Sequence, residues 1–233
     1  MSNTFENPLH THLTQESEVQ KWLVWAKKHQ EMVFVGGLVI LLVAIGVPYY
    51  FHSQEKANVD AQGVLSLAQY YQHAQVDPKN GPFKTEAEKN QQAMSTFQRV
   101  VNDFAGTPTA KLARFYMAKD QLDLGQFGQA YSSFDVASQE LKGTPLGDEA
   151  YLGKIIALED DNKFTQAIGI AESFLKDNKT SSIYPEVALC LSDLYLKNQN
   201  KDKATEQLKA IVKDYADTTW GKEAAHRLEN SKA

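Results

Sequence analysis

The sequence predicts an all-α protein: a single N-terminal transmembrane helix, then an α-solenoid of 37-residue repeats, closed by a C-terminal capping helix. Three observations carry that expectation. Ala93, Ala130, Ala167 and Ala204 fall 37 residues apart, as do Thr107, Thr144, Ser181 and Thr218, and Ala113, Ala150, Val187 and Ala224. Inside each period the apolar residues recur at steps of three and four, the helical spacing. Residues 32–51 (MVFVGGLVILLVAIGVPYYF) carry no charged side chain over 20 positions.

Residues 1–31 form a polar stub. Ser17-x-x-Gln20 reads as a capping box, and Val19, Trp22, Leu23 and Ala26 share one helical face with Trp25 beside it. Lys21, Lys27 and Lys28 would meet anionic headgroups while the Trp rings lie in the interface. The competing reading makes this segment the frayed start of the membrane helix.

Residues 32–51 follow. At 1.5 Å per residue a run of this length reaches roughly 30 Å, the hydrocarbon thickness of a bilayer. Trp22 and Trp25 flank it on one side and Tyr49, Tyr50 and Phe51 on the other, where amphipathic rings gather. A cleaved signal peptide is the rival, with Ala44-x-Gly46 as the cleavage site. The long leading segment, the length of the apolar run and the aromatics beyond the supposed cut favour an uncleaved anchor. No cysteine lies near residue 46, which excludes a lipoprotein. Three lysines (Lys21, Lys27, Lys28) precede the span, and Lys56 is the sole Lys or Arg after it before Lys79. That bias predicts a cytoplasmic N-terminus and an exported repeat domain, residues 52–233, on the far side of the membrane.

The repeats are helix pairs. Residues 109–124 and 126–141 are two helices parted by Gly125, and Lys142-Gly143-Thr144-Pro145 joins a C-terminal glycine to an N-cap threonine and a first-turn proline. The plan recurs as residues 146–161 and 163–176 with Asn162 at the turn, then 183–197 and 201–215 with the turn at Asn198 to Asn200, where Asn substitutes for a left-handed Gly. Upstream of Ala93, the segment 78–89 is too rich in turn formers for a helix throughout, so the first helix of that copy is expected at 58–75 with a loop after it. Residues 220–230 supply the cap. The periodic alanines are read as close helix crossings, with Phe97, Phe134, Ala171 and Leu208 one turn later filling the space alongside.

Composition narrows the function classes. A formal charge of −5 and a pI near 5.7 argue against nucleic acid, which needs a basic footprint. Cys190 is the only cysteine, so no intramolecular disulfide forms, and its place between Leu189 and Leu191 favours a buried thiol over a reactive one. His10-x-His12 has a metal-compatible spacing but no further ligand nearby, and Glu159-Asp160-Asp161 reads as a solvated helix end. No phosphate loop, nucleophile elbow or Ser-x-x-Lys is present, so neither an enzyme nor a cofactor is expected.

Gly125, Phe127, Ala130, Phe134 and Ala137 resemble the Gly-x-aromatic-x-x-Ala-x-x-x-Phe-x-x-Ala core of the tetratricopeptide repeat. Asn162, Phe164 and Ala167 match more loosely, Lys201 departs at the aromatic position, and the likeness covers about residues 90–230. The usual period is about 34; the longer one here is similar to a variant found in bacterial envelope proteins. The resemblance implies a partner-binding groove lined by first helices. It places Phe115, Leu152, Leu189 and His226 at equivalent positions, with Lys119, Ile156 and Asp193 one turn further along. The alternative is that these side chains only pack between repeats.

Stub, span and exported array in that order, with Tyr50, Ser53, Ala57, Ala61, Leu67, Ala68, Tyr70 and Gln72 after the span, resemble the YfgM family of ancillary SecYEG translocon subunits. That resemblance implies a bacterial inner-membrane anchor with the repeats in the periplasm, and protein partners: the SecYEG translocon, a PpiD-like chaperone and exported envelope proteins, with lipid met through residues 32–51. Two other classes stay open. One is an envelope-assembly scaffold similar to BamD or CpoB. The other is a homo-oligomeric membrane scaffold packed through Gly37 and Ala44.

Overall fold

Ten helices and their turns account for the described part of the chain in the computed structural model, residues 19–230. They are α1 (19–28), α2 (Gln30–His73), α3 (Glu86–Asp103), α4 (Pro108–Asp123), α5 (Phe127–Glu140), α6 (Pro145–Asp160), α7 (Phe164–Asp177), α8 (Tyr184–Lys197), α9 (Lys201–Asp214) and α10 (Thr219–Asn230). Ser17, His10 and His12, singled out in the sequence, lie outside the described residues. The chain divides into two compact units, Met1–Lys56 and Ala57–Ala233.

In the first unit, α1 passes into α2 through His29, whose N–H donates to the Trp25 carbonyl and whose own carbonyl accepts from Val33, each at 3.0 Å. The Trp25 and His29 rings stack at 4.9 Å, and Trp22 meets Trp25 edge-on. From Met32 onward the side chains are exposed: Ile40, Leu42 and Ile45 are each more than 60% accessible. Within α2 an 18-residue window has a mean hydropathy of 2.4 and buries nothing, so this one helix is long and apolar enough to cross a membrane. Pro48 lies inside α2 and leaves one carbonyl without its helical donor, an interruption that membrane helices tolerate.

The second unit is a stack of helical hairpins. The end of α2 pairs with α3, α4 with α5, α6 with α7, and α8 with α9, and α10 caps the stack. Ala61, Leu65 and Ala68, a helical stripe on α2, are buried with Phe97, Val100, Ala113 and Met117 of α3 and α4. The loop after α2 is held by Asp77, whose N–H donates to the Phe83 carbonyl at 3.1 Å, while buried Phe83 meets Tyr71 edge-on. Thr85 then caps α3, accepting from the Glu88 N–H at 3.1 Å, and Glu88 accepts in return from the Lys84 N–H.

Each periodic series in the sequence has a structural reason. Ala93, Ala130, Ala167 and Ala204 are buried to within 1% of completeness, as are Ala113, Ala150, Val187 and Ala224. A methyl at these crossings sets the distance between helices, and the larger Phe97, Phe134 and Leu208 are as fully buried next to them. The threonines join successive repeats. Thr144 Oγ1 accepts from the Gly147 N–H at 3.1 Å and donates to the Leu141 carbonyl at 2.7 Å, so one hydroxyl caps α6 and satisfies the end of α5. Thr107 does the same between α3 and α4, and Thr218 between α9 and α10. Ser181 breaks the series: α8 starts later, at Tyr184, and the Ser181 hydroxyl donates instead to Asp148 on α6.

The turn inside each hairpin is also set by register. Gly125, Asn162 and Gln199, spaced 37 apart, have φ of 71°, 58° and 60°. The next residue's N–H closes onto the carbonyl five before it, at 2.8, 2.8 and 2.7 Å. The left-handed residue in the last hairpin is therefore Gln199 and not one of its asparagine neighbours. Asn200 caps α9, accepting from the Lys203 N–H at 3.2 Å.

Candidate interaction groove

First helices of successive repeats lie side by side, and what joins them changes along the stack. Lys197 of α8 pairs with Glu159 of α6 at 2.7 Å, Ser181 bonds Asp148, and Arg227 of α10 bridges Asp193 of α8 and Glu223. Between α4 and α6 no ion pair or side-chain hydrogen bond is made among the described residues. A cleft of about 350 Å³ opens there. Its walls are Phe115, Lys119 and Leu122 of α4, Leu152 and Ile156 of α6, and Ile183 before α8, with Glu149 and Glu186 at the border.

Four of the seven residues expected to line a groove thus come together: Phe115, Lys119, Leu152 and Ile156. Their exposures differ. Phe115 is 4% accessible and meets Phe134 edge-on at 6.0 Å, so it forms the floor. Lys119 is exposed, with its ammonium 5.8 Å from the Phe115 ring centroid, and Leu152 and Ile156 are half-buried. The other three lie elsewhere. Leu189 is 4% accessible and joins the core cluster that includes Ala224 of the cap. Asp193 is occupied by Arg227, and His226 sits on α10, 3.4 Å from the Asn230 amide. Sequence reasoning missed Leu122, Ile183, Glu149 and Glu186, which stand outside the series that defined the face.

The floor needs a glycine. A Cβ on Gly153 would stand 2.6 Å from the Phe134 ring, so α6 can approach α5 here only without a side chain. Equivalent positions carry Tyr116, Cys190 and Arg227.

Reactive chemistry is scarce. Burial, then the neighbouring Glu159 carboxylate, pushes the Cys190 thiol far above its ordinary value, which makes it a poor nucleophile. No cluster of metal-ligating side chains occurs among the described residues. Burial first, then the Glu172 carboxylate, also raises the Tyr195 hydroxyl; Tyr151 and Tyr215 are raised as well, chiefly by burial. These groups hold their protons longer folded than unfolded. Above about pH 9 the unfolded chain therefore binds fewer protons, and stability falls with rising pH until the folded groups themselves ionise. The expected result is a melting temperature that declines above about pH 9. Cys190→Ala combined with Tyr195→Phe should make that decline shallower while leaving the neutral-pH slope unchanged, as melts across pH would show.

Stacked helical hairpins with an open face on their first helices define a class, the α-solenoids built from paired-helix repeats. Residues 24–168 match the model of the tetratricopeptide repeat-like domain, and the chain belongs to that family. The 37-residue register carries the same plan beyond that match to α10. Among solved structures it is similar to the nearly identical TPR-like repeats of a Podosopora anserina putative kinesin light chain, and to a single-substitution form of the same protein. Each has a TM-score of 0.53 at 16% identity, over 73% of this chain and 84% of theirs, a likeness of fold alone. No curated protein sequence matches the chain. The fold is that of a protein-interaction module.

Proposed function

We propose that the array is the docking domain of a membrane-anchored protein of the bacterial envelope. In this reading α2 holds it in the inner membrane through residues 32–51, with the N-terminus in the cytoplasm and the repeats in the periplasm. It serves as an ancillary subunit beside the SecYEG translocon and, with a PpiD-like chaperone, assists exported envelope proteins. The observation that carries the docking role is the cleft between α4 and α6: apolar walls and one ammonium, bordered by Glu149 and Glu186. Such a site suits an apolar segment with a basic neighbour, as an unfolded envelope protein would present. The anchor rests on the exposed apolar stretch of α2 and the lysines before it.

Single cysteines at Ser2 and Lys232, in a Cys190→Ser background, test the topology. A membrane-impermeant maleimide added to cells with a permeabilised outer membrane should label position 232 and spare position 2. Labelling at position 2 would overturn the orientation. Photocrosslinks from position 186 to translocon subunits are the expected sign of the partner, and an envelope-assembly scaffold would instead crosslink to outer-membrane assembly proteins.

A further inference from the structure

A second cleft, of about 480 Å³, opens on the other side of α4, between α3 and the turn into α5. Six carboxamides line it: Asn90, Gln91 and Gln98 of α3, Gln121 near the end of α4, and Gln126 and Gln129 at the start of α5. None of its lining residues is charged, although 23% of the chain is. Gln121 is the informative member. It is 6% accessible, and its Oε1 is the one buried side-chain oxygen or nitrogen without a hydrogen-bond partner among the described residues. An orphaned buried acceptor is destabilising, so the fold alone does not favour it.

Register makes the point sharper. The positions equivalent to Gln121 are Leu158 and Tyr195, both buried, so this place in the repeat is apolar elsewhere. The positions equivalent to Gln98 are Asp135, Glu172 and Lys209, so the corresponding surfaces elsewhere are charged. Of the six amide positions, the later repeats keep a carboxamide only at Gln166 and Asn200.

We propose that this cleft binds the main chain of an extended, uncharged polypeptide segment, with the Gln121 carboxamide turning to bring its buried oxygen to one of the segment's backbone N–H groups. Carboxamides pair with peptide groups because each offers a donor and an acceptor in the same geometry. A charged ligand would find no countercharge. A sugar would find no aromatic ring to stack on, since none lines the cleft. Met94 and Leu124 supply two apolar contacts for side chains that point inward. The site stands apart from the α4–α6 cleft and does not depend on it.

The test uses the full-length chain in detergent micelles and a fluorescein-labelled decapeptide of alternating serine and valine, read by anisotropy. Saturable binding is expected, abolished when alternate peptide nitrogens are methylated. Gln121→Leu should weaken binding at least about fivefold while leaving the melting temperature unchanged or raised, because it removes the orphan with a side chain of similar shape. If that variant fails to fold, Gln91→Glu with Gln129→Glu, both at exposed positions, decides the matter by the same loss of binding. The proposal is overturned if binding does not saturate or the methylated peptide binds equally. It is also overturned if Gln121→Leu binds as wild type, the mark of an acceptor served by a buried water. Loss of binding in Leu152→Ser would place the peptide in the other cleft and reject the site here.

Discussion

Phe134→Ala is expected to lower stability by about 3–5 kcal/mol, the range for emptying a buried aromatic site. Phe134 is 2% accessible, lies against Phe115, and fills the space that Gly153 leaves open. Gly153→Val attacks the same contact from the other side, since a Cβ there already meets the ring at 2.6 Å; overpacking of this kind destabilises by about 1–3 kcal/mol. The two changes should not add. With the ring gone, valine occupies part of the vacated volume, so Gly153→Val in the Phe134→Ala background should be neutral or stabilising. The neighbouring repeat follows that arrangement, with Ala171 where Phe134 stands and Cys190 where Gly153 stands. Thermal melts of the four proteins complete the cycle. Additive losses would mean that the two side chains do not share a cavity.

Ala130→Leu and Ala167→Leu should each cost about 1–3 kcal/mol. Both alanines are fully buried at the crossing of paired helices, where added methylenes force the helices apart. Gly169→Ala makes the contrast. Gly169 lies inside α7 with nothing within 4 Å of an added Cβ, so the change should stabilise by about 0.5–1 kcal/mol through helix propensity. Denaturant titrations that order the three variants otherwise would show that periodicity misplaced the core.

Much of the fold was legible because stacking repeats imposes the same demand at the same place four times. Ala93, Ala130, Ala167 and Ala204 are a packing distance written in sequence, and Thr107, Thr144 and Thr218 are a shared cap. Gln199 was not legible by residue type, because glutamine has no left-handed preference; counting 37 from Asn162 would have found it. The groove was half legible. Phe115, Lys119, Leu152 and Ile156 follow from the face that the repeat presents, whereas Leu189 and Asp193 lie on the same face but are covered by the core and by Arg227. Which stretch of that face stays open depends on the pairings between neighbouring first helices, and those come from charged residues that obey no period. Gln121 did leave a signal, a polar residue at a position where its counterparts are Leu158 and Tyr195.

The most direct test of the central claim, that the α4–α6 cleft binds protein partners, separates folding from binding in one set of variants. A photoreactive phenylalanine at position 119, exposed at the mouth of the cleft, reports contact in intact cells. Leu152→Ser and Ile156→Ser are then introduced one at a time at half-buried positions. Melting of each full-length protein should stay near wild type, while crosslinked adducts fall at least about fivefold. Adducts that persist at wild-type yield in both variants, or melting temperatures that fall along with them, would contradict the account and return these side chains to the packing between repeats.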